Sequence, residues 1–173
     1  MRSGTYIFKD KLKCFLYLFV LSVLVWLALT STFQWEELTT GVVISFFLSL
    51  LLSGRYLDLG LPPLSLKRII LALWYIFVLF WEIIKANLDV AYRVIHPKMP
   101  IRPGIVVIRT GLKSDIAKLV LANSITLTPG TFTLDIQGEN LLIHWINVQA
   151  EDMEGATRII GEKFEKYLRV IFK

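Results

Sequence analysis

Asp135 and His144 are the two side chains in this chain whose types and spacing could support proton chemistry. A carboxylate and an imidazole within reach of one another can share a proton or respond to pH in the physiological range. Both lie in a stretch that reads as a β-hairpin, because Thr131, Thr133 and Asp135 alternate with Phe132, Leu134 and Ile136 ahead of the turn Gln137-Gly138-Glu139-Asn140. Pairing Phe132 with Trp145, Leu134 with Ile143 and Ile136 with Leu141 makes one face wholly apolar. The opposite face then carries Thr131, Thr133, Asp135, Leu142, His144 and Ile146, with Asp135 and His144 as diagonal neighbours. Two readings of the pair follow: a solvated strand face without chemistry, or a pH-responsive contact to a partner.

A second polar group precedes it. At 3.6 residues per turn, Glu82, Lys85, Asp89, Tyr92, Arg93 and His96 fall within an arc of about 100° on one helix. Glu82 to Lys85 and Lys85 to Asp89 have the spacing of helical ion pairs, which contribute only a few tenths of a kcal/mol each when exposed. The stripe is either a solvated face just past the membrane edge or a docking face for a neighbouring protein. On the second reading Glu82, Lys85, Asp89 and Arg93 are the candidate subunit-contact residues, since ionisable groups near lipid rarely lack partners.

Other chemistry is missing from the sequence. It has no phosphate-cradling glycine loop, no H-E-x-x-H, no nucleophile elbow and no spaced cluster of metal ligands. The single cysteine, Cys14, excludes an intramolecular disulfide and a cysteine-built zinc site. No cofactor, metal or catalytic residue is expected. The net charge of +5 is not gathered into a patch with interleaved aromatics, so nucleic acid is not an expected partner.

The elements that must carry these residues begin in lipid. With 55% hydrophobic and 19% charged residues, the chain is too apolar for an average soluble domain. A basic leader bearing Arg2, Lys9, Lys11 and Lys13 is followed by an uncharged run from Cys14 to Trp35, long enough to cross a bilayer. A cleaved signal peptide competes with that reading, but its apolar core would be unusually long and no small-residue cleavage site follows cleanly. Glu36 and Glu37 mark an outer connection, Leu38 to Gly54 returns, and Arg55, Lys67 and Arg68 mark a cytoplasmic one. Trp26 suits burial and Trp35 an interfacial anchor. Ser45, Ser49 and Ser53 put small residues on one face of the second helix, either a helix-contact face or without role. Pro62-Pro63 stops continuation and Ser65 caps a third helix, about 65–95. Only Ile69 to Trp81 of it is uncharged, so the expectation is a long membrane-associated helix that leans into the bilayer or against partner subunits without clearly crossing.

The proline-rich run 96–104 reads as a linker, and residues 105–173 as a separate domain. Ile105 to Ile108 is a strand. Ser114 and Asp115 open a helix whose Ile116, Leu119, Val120 and Asn123 share a face. Pro129 ends that region and Gly130 supplies positive φ for the turn into the hairpin. The last helix, Asp152 to Phe172, carries an apolar line through Met153, Ala156, Ile160, Phe164, Tyr167, Leu168 and Ile171. Acidic Glu151, Asp152 and Glu154 begin it and basic Lys166, Arg169 and Lys173 end it, as the macrodipole prefers. The fold class is therefore an α-helical integral membrane part, helices near 14–35, 38–54 and 65–95, followed by a small α+β domain. That domain is βαββα, ferredoxin-like but lacking the last strand, with helices on one face. Its small core implies support from the membrane helices or from other subunits.

The stretch from Asn123 to Asn147 resembles the E subunit of the multi-subunit sodium/proton antiporters of the Mrp or Mnh type. The matching residues are Asn123, the run Leu127-Thr128-Pro129-Gly130-Thr131, Asp135, and the run Ile143-His144-Trp145-Ile146. Lys85 to Val90 and Arg102-Pro103-Gly104 also look like the family's pattern, and the likeness covers roughly residues 14–170. Two departures are Asn147, where the family pattern has an acidic residue, and the basic leader. The resemblance implies an accessory subunit in the plasma membrane of a prokaryote, multi-pass, with its C-terminal domain cytoplasmic. Its partners would be the lipid bilayer and the other antiporter subunits, through which alone Na+ and H+ would move. A membrane-anchored enzyme or lipid-binding module using the mixed sheet face is the rival reading, and an autonomous small transporter the third.

Overall fold

The computed structural model describes residues 8–58, 61–62, 65–150 and 152–173. Arg2, Pro63 and Glu151 lie outside the described residues. By its contacts the chain divides into two compact units, Met1–Ile69 and Ile70–Lys173. Composition alone sets the division at the proline-rich run; contacts set it inside the third helix.

The first unit is a pair of consecutive helices, α1 (Phe8–Thr30) and α2 (Trp35–Asp58). Helix α1 ends five residues earlier than the uncharged run, because Ser31 takes a left-handed φ of 50° and Trp35 becomes the first residue of α2. Among the described residues, Cys14 of α1 and Gly41, Ser45 and Ser49 of α2 are the buried positions of the pair. A Cβ at Gly41 would overlap the Trp26 ring, whose indole N–H donates to the Glu37 carbonyl at 3.1 Å. The small-residue stripe is thus a helix-contact face through Ser49, where the hydroxyl donates back to the Ser45 carbonyl at 2.6 Å; Ser53 is only half-buried. Trp35 is largely exposed.

Helix α3 (Leu66–Ile95) runs for 30 residues, with the Ser65 hydroxyl accepting from the Arg68 N–H at its start. Among the described residues three helices are long and apolar enough to cross a membrane, over Lys11–Thr30, Trp35–Tyr56 and Leu66–Ile95. From Ile70 onward α3 belongs to the second unit. There it precedes β1 (Gly104–Arg109), α4 (Asp115–Leu127), β2 (Thr131–Gln137) and β3 (Asn140–Trp145). The chain closes with α5 (Met153–Ala156), a π-helical turn (Thr157–Gly161) and α6 (Glu162–Ile171).

The sheet order is β1-β3-β2, with β3 antiparallel to both neighbours. This is the split βαβ arrangement of a ferredoxin-like sheet without its last strand. Helices cover one face. Ile108, Leu141, Ile143 and Trp145 point into a core shared with Ala117, Leu121 and Ile125 of α4 and with Ala156, Ile160, Phe164 and Leu168 behind them. Tyr75 of α3 joins the same core.

The structure corrects two expectations. The hairpin register holds at Ile136 opposite Leu141, but β2 shifts register between Thr133 and Asp135. Before that bulge Thr131 faces Trp145, Phe132 faces His144 and Thr133 faces Ile143, so the threonines turn inward while Phe132 and Leu134 stay about half exposed. The cause is hydrogen bonding. The Thr131 hydroxyl donates to the Ile125 carbonyl at 2.7 Å and the Thr133 hydroxyl to the Ala122 carbonyl at 3.1 Å, tying β2 to the C-terminal half of α4. The buried side of α4 is Ala117, Leu121, Ala122, Ser124 and Ile125; of the four residues expected to share a face, Val120 packs against the core while Leu119 and Asn123 are exposed. Apolar residues nearly encircle this short helix, so their spacing did not select a face, whereas small Ala117 and Ser124 permit close approach.

Candidate functional site

The family-motif residues form a knot that seats the end of α4 on the hairpin. The Thr128 hydroxyl donates to the Ile125 carbonyl at 2.7 Å and lies 3.1 Å from the Thr131 hydroxyl. Gly130 has φ +91°, and its missing Cβ would stand 2.9 Å from the Ile146 Cγ2 and 3.7 Å from the Val90 Cγ2. Its carbonyl accepts from the Ile146 N–H at 2.8 Å. Pro129, between them, supplies the fixed φ that starts the turn. The turn therefore closes against β3 on one side and α3 on the other. Trp145 is buried in the core beneath it. Asn123 and Asp135 line one shallow groove of about 390 Å³ between α4 and β2.

Asp135 and His144 do not form a hydrogen-bonded pair. One Asp135 carboxylate oxygen accepts from the Ile136 N–H at 2.8 Å and the other from the Gln137 side-chain amide at 2.7 Å, both on its own strand. His144 is exposed on the outer face of the sheet, across from Phe132 on one side and Ile105 on the other.

The polar stripe of α3 splits in two. Glu82, whose side chain is 18% exposed, accepts from Lys85 at 2.6 Å and from Lys163 of α6 at 3.2 Å. Arg93, 13% exposed, binds both carboxylate oxygens of Asp89 at 2.7 and 3.0 Å and donates to the Pro100 carbonyl at 2.6 Å. With its amide oriented to suit its neighbours, Asn147 presents its oxygen 3.2 Å from both terminal Arg93 nitrogens. That contact gives a physical reason for an acidic residue at the position. Lys85 and Asp89, more than half exposed, remain on the outside of the stripe.

Sequence reasoning missed three things. Tyr75, taken as one apolar residue among many, packs edge-on against Phe164 and near Tyr167, and its hydroxyl bonds Ser124. Glu165, which no motif or spacing singled out, is buried; it accepts from the Gly111 N–H at 2.8 Å and from Arg169 at 2.9 Å. The π-helical turn was also unforeseen. Thr157 within it accepts from the Arg109 N–H at 2.9 Å, and Gly161 brings the helix against Ile108. An open cleft of about 1040 Å³ lies beside it, lined by Arg109, Glu139, Asp152, Arg158, Glu165 and Arg169 among others. The alternating charges of that lining suit internal ion pairing, such as Arg109 with Glu139 at 2.8 Å, rather than an anion or a cation. Among the described residues no group of three or more histidine, cysteine or acidic side chains could hold a metal ion.

Comparison with known proteins agrees with the family resemblance. The family model described as "Na+/H+ ion antiporter subunit" matches residues 19–171. Over 149 residues the chain is 32% identical to the E subunit of the Na(+)/H(+) antiporter of Alkalihalophilus pseudofirmus, spanning 86% of this chain and 92% of that one. The E subunit of the Bacillus subtilis antiporter is 31% identical over 146 residues, covering 84% and 90%. Among solved structures, a chain of the membrane-bound sulfane sulfur reductase, an archaeal respiratory membrane complex, is 47% identical. It superposes with a TM-score of 0.75, covering 92% of this chain and 99% of that chain.

Proposed function

The chain belongs to the family of Na+/H+ antiporter E subunits, and from that premise we propose that it acts as an accessory membrane component. In this role it supports assembly and cation/proton exchange while the ions travel through partner subunits. The observation that carries the proposal is the emptiness of the first two helices. Neither Cys14 to Trp35 nor Leu38 to Gly54 contains a carboxylate, lysine, arginine or histidine to hold a travelling charge. Their buried seam is built from Cys14, Gly41, Ser45 and Ser49 instead. Arg55, Lys67 and Arg68 support a cytoplasmic position for the connection after α2 and hence for the C-terminal domain. Glu82 and Arg93 serve the chain's own domain, so Lys85 and Asp89 are the members of the stripe left to meet another subunit. No enzymatic activity is assigned to the chain.

The likeness to the sulfane sulfur reductase chain favours a second reading of the assembly, in which the complex joined is a respiratory one. Purification in mild detergent from native membranes separates the cases. Large hydrophobic subunits should accompany the chain, and redox subunits among them would select the respiratory assembly. Recovery as a clean monomer would overturn the subunit role. For the ion path, Ser45→Ala with Ser49→Ala should leave cation preference per recovered complex unchanged; an altered preference would place the path through this chain.

A further inference from the structure

Helix α3 differs in kind from α1 and α2, although all three are long and apolar. Advancing about 100° per residue, its charged residues Lys67, Arg68, Glu82, Lys85, Asp89 and Arg93 all fall in one arc of about 100°. Tyr75, Leu79, Glu82, Val90 and Arg93, which meet the C-terminal domain, share that side of the helix. The side turned away from those domain contacts, through Ile70, Phe77, Trp81, Leu88 and Ile95, runs beside the charged arc, is uncharged along the whole helix and is exposed at every one of these positions.

That distribution is incompatible with an upright crossing. Tyr75 and Leu79 pack against the core of the C-terminal domain and Glu82 is ion-paired with Lys163 of α6 at 3.2 Å, so from Tyr75 onward the domain, not lipid, covers one side of α3. Only Leu66 to Trp74 could then be surrounded by hydrocarbon, roughly 14 Å of helix against a core of about 30 Å. The occupant of the apolar side follows from continuity with the bilayer. The connection from Asp58 at the end of α2 to Leu66 is short, so α3 starts at the membrane surface where α2 ends. Basic Lys67 opens it, and Trp74 and Trp81 have the amphipathic rings favoured at the headgroup level.

We infer that α3 lies along the membrane surface, with its Ile70–Phe77–Trp81–Leu88 side in the headgroup–acyl boundary and its charged side carrying the C-terminal domain. The helix is a raft for the domain and not a third crossing. The test uses the full complex in sealed membranes, with Cys14→Ser as background and single cysteines introduced by Lys67→Cys and Lys98→Cys. A membrane-impermeant maleimide should label both from the same side. Labelling from opposite sides would overturn the inference. A nitroxide at Phe77→Cys, with Trp81→Cys as the second site, should relax strongly with a lipid-borne paramagnetic quencher and weakly with a water-soluble one. Protection from both quenchers would mean that another subunit covers this side, and would also overturn it. Recovery of the complex is scored separately, so its loss would count against the subunit role and not against the placement of α3.

Discussion

The hydroxyl of Tyr75 on α3 is hydrogen-bonded to the hydroxyl of Ser124 on α4, joining residues 49 apart in the chain. Ser124 in turn donates to the Val120 carbonyl at 2.7 Å, so the tyrosine is fixed at both its ring and its oxygen. Removing only the oxygen, Tyr75→Phe, should destabilise the second unit by about 1 kcal/mol. Tyr75→Ala removes the ring as well and should cost about 3–5 kcal/mol. Thermal unfolding of the purified complex would rank the two. Equal effects would mean that the ring is not part of the core.

Gly130 and Gly138 both have positive φ, 91° and 63°, but only Gly130 is crowded. Gly130→Ala should therefore destabilise the domain by roughly 2 kcal/mol, from left-handed strain and the contact with Ile146. Gly138→Asn, in open space at the hairpin turn, should change stability by no more than a few tenths of a kcal/mol, since asparagine tolerates that conformation. Denaturation midpoints of the two variants test the contrast.

In the helix pair, Gly41→Leu would drive a side chain into the Trp26 ring, while Ser53→Ala changes a half-buried position. The first should reduce the amount of chain recovered in membranes several-fold and the second should leave it unchanged. Immunoblotting of membrane fractions reads both.

The Arg109 guanidinium, hydrogen-bonded to Glu139 in the hairpin turn, holds that carboxyl below its ordinary range. A depressed folded-state value contributes stability above the unfolded carboxyl range, lost as pH falls through the folded value. Both side chains are exposed, so the contribution is small and screened by salt. Titration of Glu139 by NMR should show its midpoint return to the ordinary range in Arg109→Gln, and no movement would remove the assigned cause.

Asn147 faces a guanidinium that is already paired with Asp89 on its other side. Asn147→Asp should add a charged partner in a partly buried setting and stabilise the second unit by about 0.5–1 kcal/mol. The gain should shrink when Arg93→Lys is introduced, because lysine lacks the planar fork. A double-mutant cycle on unfolding midpoints measures the coupling.

Much of this molecule was determined by short-range pattern. The uncharged runs specified three long helices, and the alternation Leu141, Ile143, Trp145 specified the inward face of β3. Ser114 was read correctly as the cap of α4, where its hydroxyl accepts from the Ala117 N–H. The line Ala156, Ile160, Phe164, Leu168 gave the buried side of the last helix. The motif around Thr128-Pro129-Gly130 announced the family, which no single periodicity could do.

What pattern left undecided required partners distant in sequence. Phe132 and Leu134 look like inward residues until the threonines beside them are claimed by carbonyls at the end of α4. Glu165 looks solvated until the Gly111 amide and Arg169 close on it. Glu82, Arg93 and Tyr75 look like parts of a free helix until α6, the proline-rich run and α4 come up against them. Local spacing sets which residues share a side of an element, because backbone geometry is local. Which side is buried depends on hydrogen bonds and close contacts between elements far apart in the chain, and these exist only once the tertiary structure has formed.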